Sequence, residues 1–320
     1  MTLLEVLRAR RRIAPYVRRT PFVRSSWLSD LTGADVFLKL ESVQHSNSFK
    51  SRGAFNAIVA RLERGASALT RLVTASAGNH GRALAAAAET FGLPLTVFTP
   101  ADAPTTKLTA ISRHGAELRA EGRDYDEAER MAKAFALDTG AAFISPYNDA
   151  DVIAGAATVA LEIFEDAPGI DTLVVPVGGG GLISGVAVVA KGLNAASTVV
   201  GVEVEASCAF QTSVRAGKLV EIVPGPTLAD GLGGNPDPET ITFEPIQRLV
   251  DRIVTVSEPD LEAAVVGLVT AEHLITEGAG AAATAALVGR RVDLSGRRAA
   301  VVVSGANIDR QRLADLLGKA

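Results

Sequence analysis

The residues best suited to chemistry lie in SNSFKSRGA, Ser46 to Ala54, where a single lysine, Lys50, stands among small and hydroxylic neighbours. The run before it, Asp35 to Leu40 (DVFLKL), reads as a strand, and Ala54, Phe55, Ile58, Val59 and Leu62 recur at helical spacing up to Gly65. Lys50 is therefore placed in the first turn of a helix. There the positive end of the helix dipole disfavours an ammonium ion and favours a neutral amine, which is both a nucleophile and a base. For this segment alone, a solvated lysine opening an ordinary amphipathic helix is the plainer alternative.

Four other stretches carry groups of the right kind. In VVPVGGGGLISG, Val174 to Gly185, Gly178, Gly179, Gly180 and Gly181 separate a buried strand from a helix. Backbone N–H groups left free there, with the helix N-terminus behind them, suit a phosphate. A dinucleotide fingerprint would need G-x-G-x-x-G with an acid about 20 residues on, and a P-loop a lysine directly after the glycines; the sequence has neither. A glycine turn packed tightly on the sheet is the alternative. In TASAGNHGRAL, Thr74 to Leu84, the residues Ser76, Gly78, Asn79 and His80 offer a hydroxyl, an amide and N–H groups at a helix start. Together they could hold a carboxylate without an arginine, although a simple helix cap explains one of them.

VVVSGANID, Val301 to Asp309, delivers Ser304 to the end of a strand, where it can make one neutral hydrogen bond; a capped turn is the alternative. LADGLGG, Leu228 to Gly234, could bring Asp230 and backbone carbonyls to the same crevice. His45, His80, His114 and His273 show no metal-ligand spacing and read as surface or packing residues.

Groups scattered this widely converge only if the strand ends share an edge. After a first helix (Leu3 to Ile13), strand-like and helix-like runs alternate: 72–76, 95–100, 117–120 and 141–145 as strands, with helices 80–91, 104–114 and 124–137 between them. The rhythm continues with longer helices (152–164, 182–193, 207–216) and strands 172–177 and 199–203. It breaks from Pro224 to Pro245, a span rich in proline and glycine, and resumes with strand 253–256, a helix opening at Ser257, a helix 279–287, strand 299–303 and a last helix 310–317. Such alternation implies parallel strands with right-handed crossovers, hence a doubly wound α/β fold with a mainly parallel sheet. An irregular connection of that length in such a fold points to function.

At 320 residues the chain exceeds the size of one core, so two lobes are expected. Hydrophobic residues make up 48% and aromatics only 5%, which suits aliphatic helices on a valine-rich sheet. The net charge of -4 provides no field for nucleic acid or anionic membrane. The cluster Arg8, Arg10, Arg11, Arg12, Arg18 and Arg19 reads as a solvated helix face. One cysteine, Cys208, rules out an internal disulfide framework and fits a reducing compartment. With no signal-peptide core and no apolar run near the ~20 residues of a membrane helix, the expected location is cytoplasmic.

Taken in order over the chain, SNSFKSRGA, SAGNHG, GGGGLISG and SGAN resemble the fold-type II pyridoxal-phosphate enzymes, a tryptophan synthase β-like fold. The nearest likeness is to the threonine/serine dehydratase and serine racemase branch. The resemblance implies pyridoxal 5'-phosphate joined as a Schiff base to Lys50, with Phe49 beside its ring. Its phosphate would lie on Gly178, Gly179, Gly180 and Gly181, its ring hydroxyl near Asn79 and its pyridine nitrogen on Ser304. The substrate carboxylate would lie on Ser76, Ala77, Gly78, Asn79 and His80. It further implies a homodimer, a large cofactor-binding domain of residues 1–51 and 146–320, and a small mobile domain of residues 52–145.

The expected reaction is α,β-elimination from a β-hydroxy amino acid such as L-threonine or L-serine, giving a 2-oxo acid and ammonia. Serine at the pyridine nitrogen cannot give a full proton as aspartate would, which favours elimination over transamination. Alternatives are a serine racemase-like amino-acid racemase, or a dehydratase for 3-hydroxyaspartate, phenylserine or a hydroxyectoine-pathway intermediate. From other classes, a nucleotide-binding oxidoreductase or a catalytically silent ligand-binding protein would also use a glycine turn in this fold.

Three departures narrow the reading. Ala77 stands where serine racemases carry a second serine as base. Relatives that bind a divalent cation use a glutamate, a backbone carbonyl and an aspartate; Glu203 and Ser207 match the first two, but Ala209 replaces the aspartate, so no metal is expected. Asn47 stands where glycine is common. With the chain ending at Ala320, the regulatory domain of feedback-inhibited threonine dehydratases is not expected.

Overall fold

Valine-rich runs of four to seven residues can be buried on both faces only if helices cover both sides of a sheet, and the chain forms two such layers. The computed structural model describes residues 1–65 and 69–319. The strands among them are β1 (Phe22–Arg24), β2 (Asp35–Leu40), β3 (Leu72–Ala75), β4 (Leu95–Pro100), β5 (Glu117–Gly122), β6 (Ala142–Phe143), β7 (Thr172–Pro176), β8 (Thr198–Val204), β9 (Arg252–Val256) and β10 (Arg298–Val303). The first helices are α1 (Leu3–Ile13), α2 (Ser26–Thr32), α3 (Lys50–Glu63), α4 (Asn79–Thr90), α5 (Thr105–Ser112) and α6 (Tyr125–Thr139). The rest are α7 (Ala150–Asp166), α8 (Gly181–Leu193), α9 (Ala209–Ala216), α10 (Phe243–Leu249), α11 (Glu258–Glu272), α12 (Gly278–Val288) and α13 (Arg310–Gly318).

The expected parallel strands are shared between two sheets. The larger has the order β1-β2-β10-β7-β8-β9, parallel except for the antiparallel edge strand β1. The smaller has the order β5-β4-β3-β6 and is parallel throughout. Side chains alternate across the larger sheet with period two. Val174, Val301 and Val303 enter one core with α11 and α12, while Leu173, Val175 and Val302 enter the other with α7 and α8.

The differences from the expected elements have local causes. β1 and α2 are too short, at 3 and 7 residues, to show a period. The strand expected at 141–145 shrinks to Ala142–Phe143. α9 starts at Ala209, because Ser207 forms an isolated bridge with Val204. The expected cap at Ser257 is a full capping box with Asp260.

Because β2, β10, β7 and β8 run the same way, the segments after Leu40, Val303, Pro176 and Val204 leave one edge. α3 and α7 cross closely above it: a Cβ on Gly155 would lie 2.3 Å from the Arg52 carbonyl oxygen, and one on Gly53 2.8 Å from that of Val152.

Candidate active site

The segment before Lys50 is stitched to the end of β10 by backbone. Phe49 N–H donates to the Ser304 carbonyl (3.0 Å), Ala306 N–H donates to the Asn47 carbonyl (2.8 Å), and Ser48 pairs with Gly305. Asn47 sits at φ 55, in the left-handed region. Glycine is favoured there and asparagine is the side chain that tolerates it, so the departure at this position preserves the loop. α3 begins at Lys50 with no side-chain cap. The Lys50 ammonium donates to the Pro146 carbonyl (2.7 Å) and lies 5.0 Å from the centre of the Phe49 ring. Burial lowers its pKa to about 8, and its place at the N-terminal residue of α3 is the one expected from the sequence.

Next to Pro146, Tyr147 lies against the glycine turn. A Cβ on Gly179 would lie 2.3 Å from its ring, and one on Gly180, at φ 82, would lie 2.7 Å from Ile246 and 2.8 Å from Thr242. Tight packing alone therefore requires glycine at these two positions. The same turn leaves the first N–H groups of α8 without a side-chain cap, and this open cradle fits a phosphate. Ser304 is buried at the end of β10, and its hydroxyl makes only one long bond (3.4 Å) to the Ala279 carbonyl, so its O–H can turn to donate to a ring nitrogen. On these observations the residues present fit pyridoxal phosphate.

From the smaller sheet, β3 delivers Ser76, Ala77 and Gly78, and α4 opens at Asn79 with no side-chain cap. Ser76 Oγ accepts from Gly78 N–H (3.2 Å). His80 turns inward: its Nε2 lies 3.2 Å from the Ile144 carbonyl and its Nδ1 has no partner. Burial, and then the charge of Lys50, lower its pKa to about 3, so the ring stays neutral and the backbone is what this loop offers a carboxylate.

Asn79 leads to residues that sequence reasoning missed. Its Nδ2 donates to Glu277, and its Oδ1 accepts from Asn307 Nδ2 (2.6 Å), whose Oδ1 accepts from Arg82. Burial pushes the Glu277 carboxyl up to about 7. The signal for Glu277 was a lone acid directly before the alanine-rich α12. Tyr147 gave none, since its role depends on contacts with Gly179 and with Asp237 N–H, which its hydroxyl accepts at 2.9 Å.

The remaining candidates lie apart from Lys50 or pack over the glycines. Glu203 accepts from Phe210 N–H (2.8 Å) and Gln211 N–H (2.7 Å), so both its oxygens cap α9. Ser207 Oγ accepts from Gly234 N–H at 3.1 Å, and Ala209 is buried. Among the described residues no group of three or more His, Cys, Asp or Glu gathers as a metal site, and this donor set does not fit a divalent cation. Asp230 pairs with Lys107, while the adjacent Gly231 and Leu232 pack against Gly178.

The chain resembles proteins of known activity over nearly its whole length. It is 40% identical over 319 residues to an L-threonine ammonia-lyase of Thermotoga maritima, a match covering 100% of this chain and 79% of that protein. A maize serine racemase structure superposes with a TM-score of 0.92 at 32% identity, covering 99% of this chain and 97% of that one. A threonine deaminase structure from tomato, Solanum lycopersicum, in its processed form, gives a TM-score of 0.90 at 29% identity, over 99% of this chain and 92% of that one. The family described as pyridoxal-phosphate dependent enzyme matches residues 13–305, and the chain belongs to it.

Proposed function

We propose that the protein is a dehydrating ammonia-lyase that converts L-threonine or L-serine to a 2-oxo acid and ammonia. The observation that carries this reading is Lys50, a half-buried amine of depressed pKa beside a glycine cradle, in a chain 40% identical to an L-threonine ammonia-lyase. Bound pyridoxal phosphate supplies an electron sink that makes the substrate Cα–H bond acidic. The N–H groups of Gly178 to Gly181 and the start of α8 would hold its phosphate, with Phe49 and Asn79 as further contacts and Ser304 as a neutral hydrogen-bond donor to its pyridine nitrogen. The loop Ser76, Ala77, Gly78, Asn79 and His80 binds the substrate carboxylate through its N–H groups.

The free Lys50 amine would take the Cα proton, and the β-hydroxyl would take up one proton on leaving as water, so the elimination is proton-neutral overall. The released enamine tautomerises to an imine, which water hydrolyses to the 2-oxo acid and ammonia. Ala77 has no group to protonate the opposite face, which argues against racemisation.

The small domain, residues 52–145, closes over the substrate against a large domain of residues 1–51 and 146–320. α3 crosses that boundary and couples the two. The enzyme works as a cytoplasmic homodimer; no described helix is long and apolar enough to cross a membrane. The test is a substrate screen of the holoenzyme with L-threonine, L-serine, 3-hydroxyaspartate and phenylserine. Formation of a 2-oxo acid is expected from L-threonine or L-serine. No 2-oxo acid from any of them sinks the reading, and a D-amino acid as main product favours the racemase.

A further inference from the structure

Two residues beyond Lys50, Arg52 is fully buried, as is Lys39 on β2. Arg52 donates from Nε and Nη2 to both oxygens of Glu41 (2.8 Å each), and from Nη1 and Nη2 to both oxygens of Glu162 on α7 (2.7 and 2.8 Å). Its Nη1 also reaches Thr158 Oγ1 (3.2 Å), while Lys39 donates to Glu162 (2.6 Å) and to the Thr20 carbonyl (2.7 Å). Two cations and two carboxylates thus balance in one closed cluster. Such a cluster is a weak source of net stability, because desolvation offsets the attraction and packed apolar side chains would serve as well. What it supplies is direction: the planar guanidinium can meet two carboxylates edge-on in only one orientation.

That orientation bears on the amine. Arg52 lies in the first turn of α3, which Lys50 opens, and its carbonyl touches α7 at Gly155. α7 in turn opens at Ala150, one short loop after Pro146, whose carbonyl receives the Lys50 ammonium. We propose that Arg52 is a positioning residue: by clamping the first turn of α3 between Glu41 and Glu162 it holds the Lys50 amine in place against the segment that leads into α7. The titratable side chain whose charge reaches Lys50 is His80 on α4, which stays neutral; Glu277, bonded to Asn79, titrates near 7 in native and Arg52→Lys protein alike, so a difference between the two reports the placement of Lys50.

The proposal rests on Lys50 being the reacting amine, and the test separates the two. Lys50→Ala that keeps its activity removes that underlying reading. With Lys50→Ala inactive, Arg52→Lys in the holoenzyme is expected to lower kcat by about 10- to 100-fold with KM within about 3-fold, as a misplaced reacting group does. It is also expected to shift the pH at which the visible absorbance of the bound cofactor titrates. Leu261→Ala, in the core on the opposite face of the large sheet, is the control: it should lower the Tm with kcat within about 2-fold and the absorbance titration unchanged. If Arg52→Lys does not fold, Thr158→Val takes its place, with an expected loss of about 3- to 10-fold in kcat for one lost acceptor. A folded Arg52→Lys or Thr158→Val protein that matches the Leu261→Ala control in kcat and absorbance titration overturns the proposal.

Discussion

Two charge arrangements meet in the first turn of α3, at Lys50 and Arg52, and behave oppositely. Around Arg52 every charge has an opposite partner: Glu162 is held below the usual carboxylate range by Arg52 and Lys39, and Arg52 is held above its ordinary value by Glu41 and Glu162. Lys50, half-buried, and Glu277, buried, touch no counter-ion, and the more distant Lys107 and Arg82 offset the burial of Glu277 only in part. The amine falls to about 8, and the carboxyl, although Asn79 donates to it, rises to about 7. Burial disfavours charge in all these groups, and what decides the outcome is whether an opposite charge is within reach. Where the chain needs a fixed support it closes the ion pairs, and where it needs a reactive amine it leaves one open.

The largest expected effect comes from removing the unpaired amine: Lys50→Ala should lower kcat/KM by at least about 10²- to 10⁴-fold, measured as 2-oxo acid release from L-threonine. Activity equal to the native enzyme would break the comparison at its centre. Gly179→Ala should come next, since its Cβ would lie 2.3 Å from the Tyr147 ring. Overpacking of about 1–3 kcal/mol is expected to appear as weaker cofactor binding and a lower Tm.

Glu277 sharpens the contrast through pH. Its folded pKa lies above the ordinary 4.5, so its contribution to stability is fully present below about 4.5 and is lost as pH rises through about 7. The native Tm should fall across that window by the equivalent of roughly 3 kcal/mol, and Glu277→Gln should flatten the curve. An unchanged slope would mean that Glu277 ionises freely. The smallest effect is expected from Ala77→Ser, which adds a hydroxyl on the carboxylate loop: a trace of D-amino acid by chiral chromatography, with elimination still dominant.

The paired and unpaired regions are not equally legible in the sequence. Lys50, the four glycines and Ser304 are read from short motifs at strand ends, and alternating strands and helices place those ends on one edge. The cluster under Lys50 is invisible there, because Arg52 joins Glu41 across 11 positions and Glu162 across 110, and no local pattern encodes such pairing. Asn79 reads from its motif as a cofactor contact, but its bonds to Glu277 and Asn307 span 198 and 228 positions. The desolvation that lowers the Lys50 pKa is not legible in the motif, since how deeply an amine is buried depends on segments such as 145–149 that the motif does not contain. β1 escapes a sequence reading for a simpler reason: three residues of edge strand carry no period.

The most direct test of the unpaired amine is to load the protein with pyridoxal phosphate, reduce it with borohydride and map the peptides by mass. The account expects one phosphopyridoxyl group, on Lys50, at the stoichiometry of bound cofactor. The label on another lysine, or no label in a protein that still forms the 2-oxo acid, would contradict it.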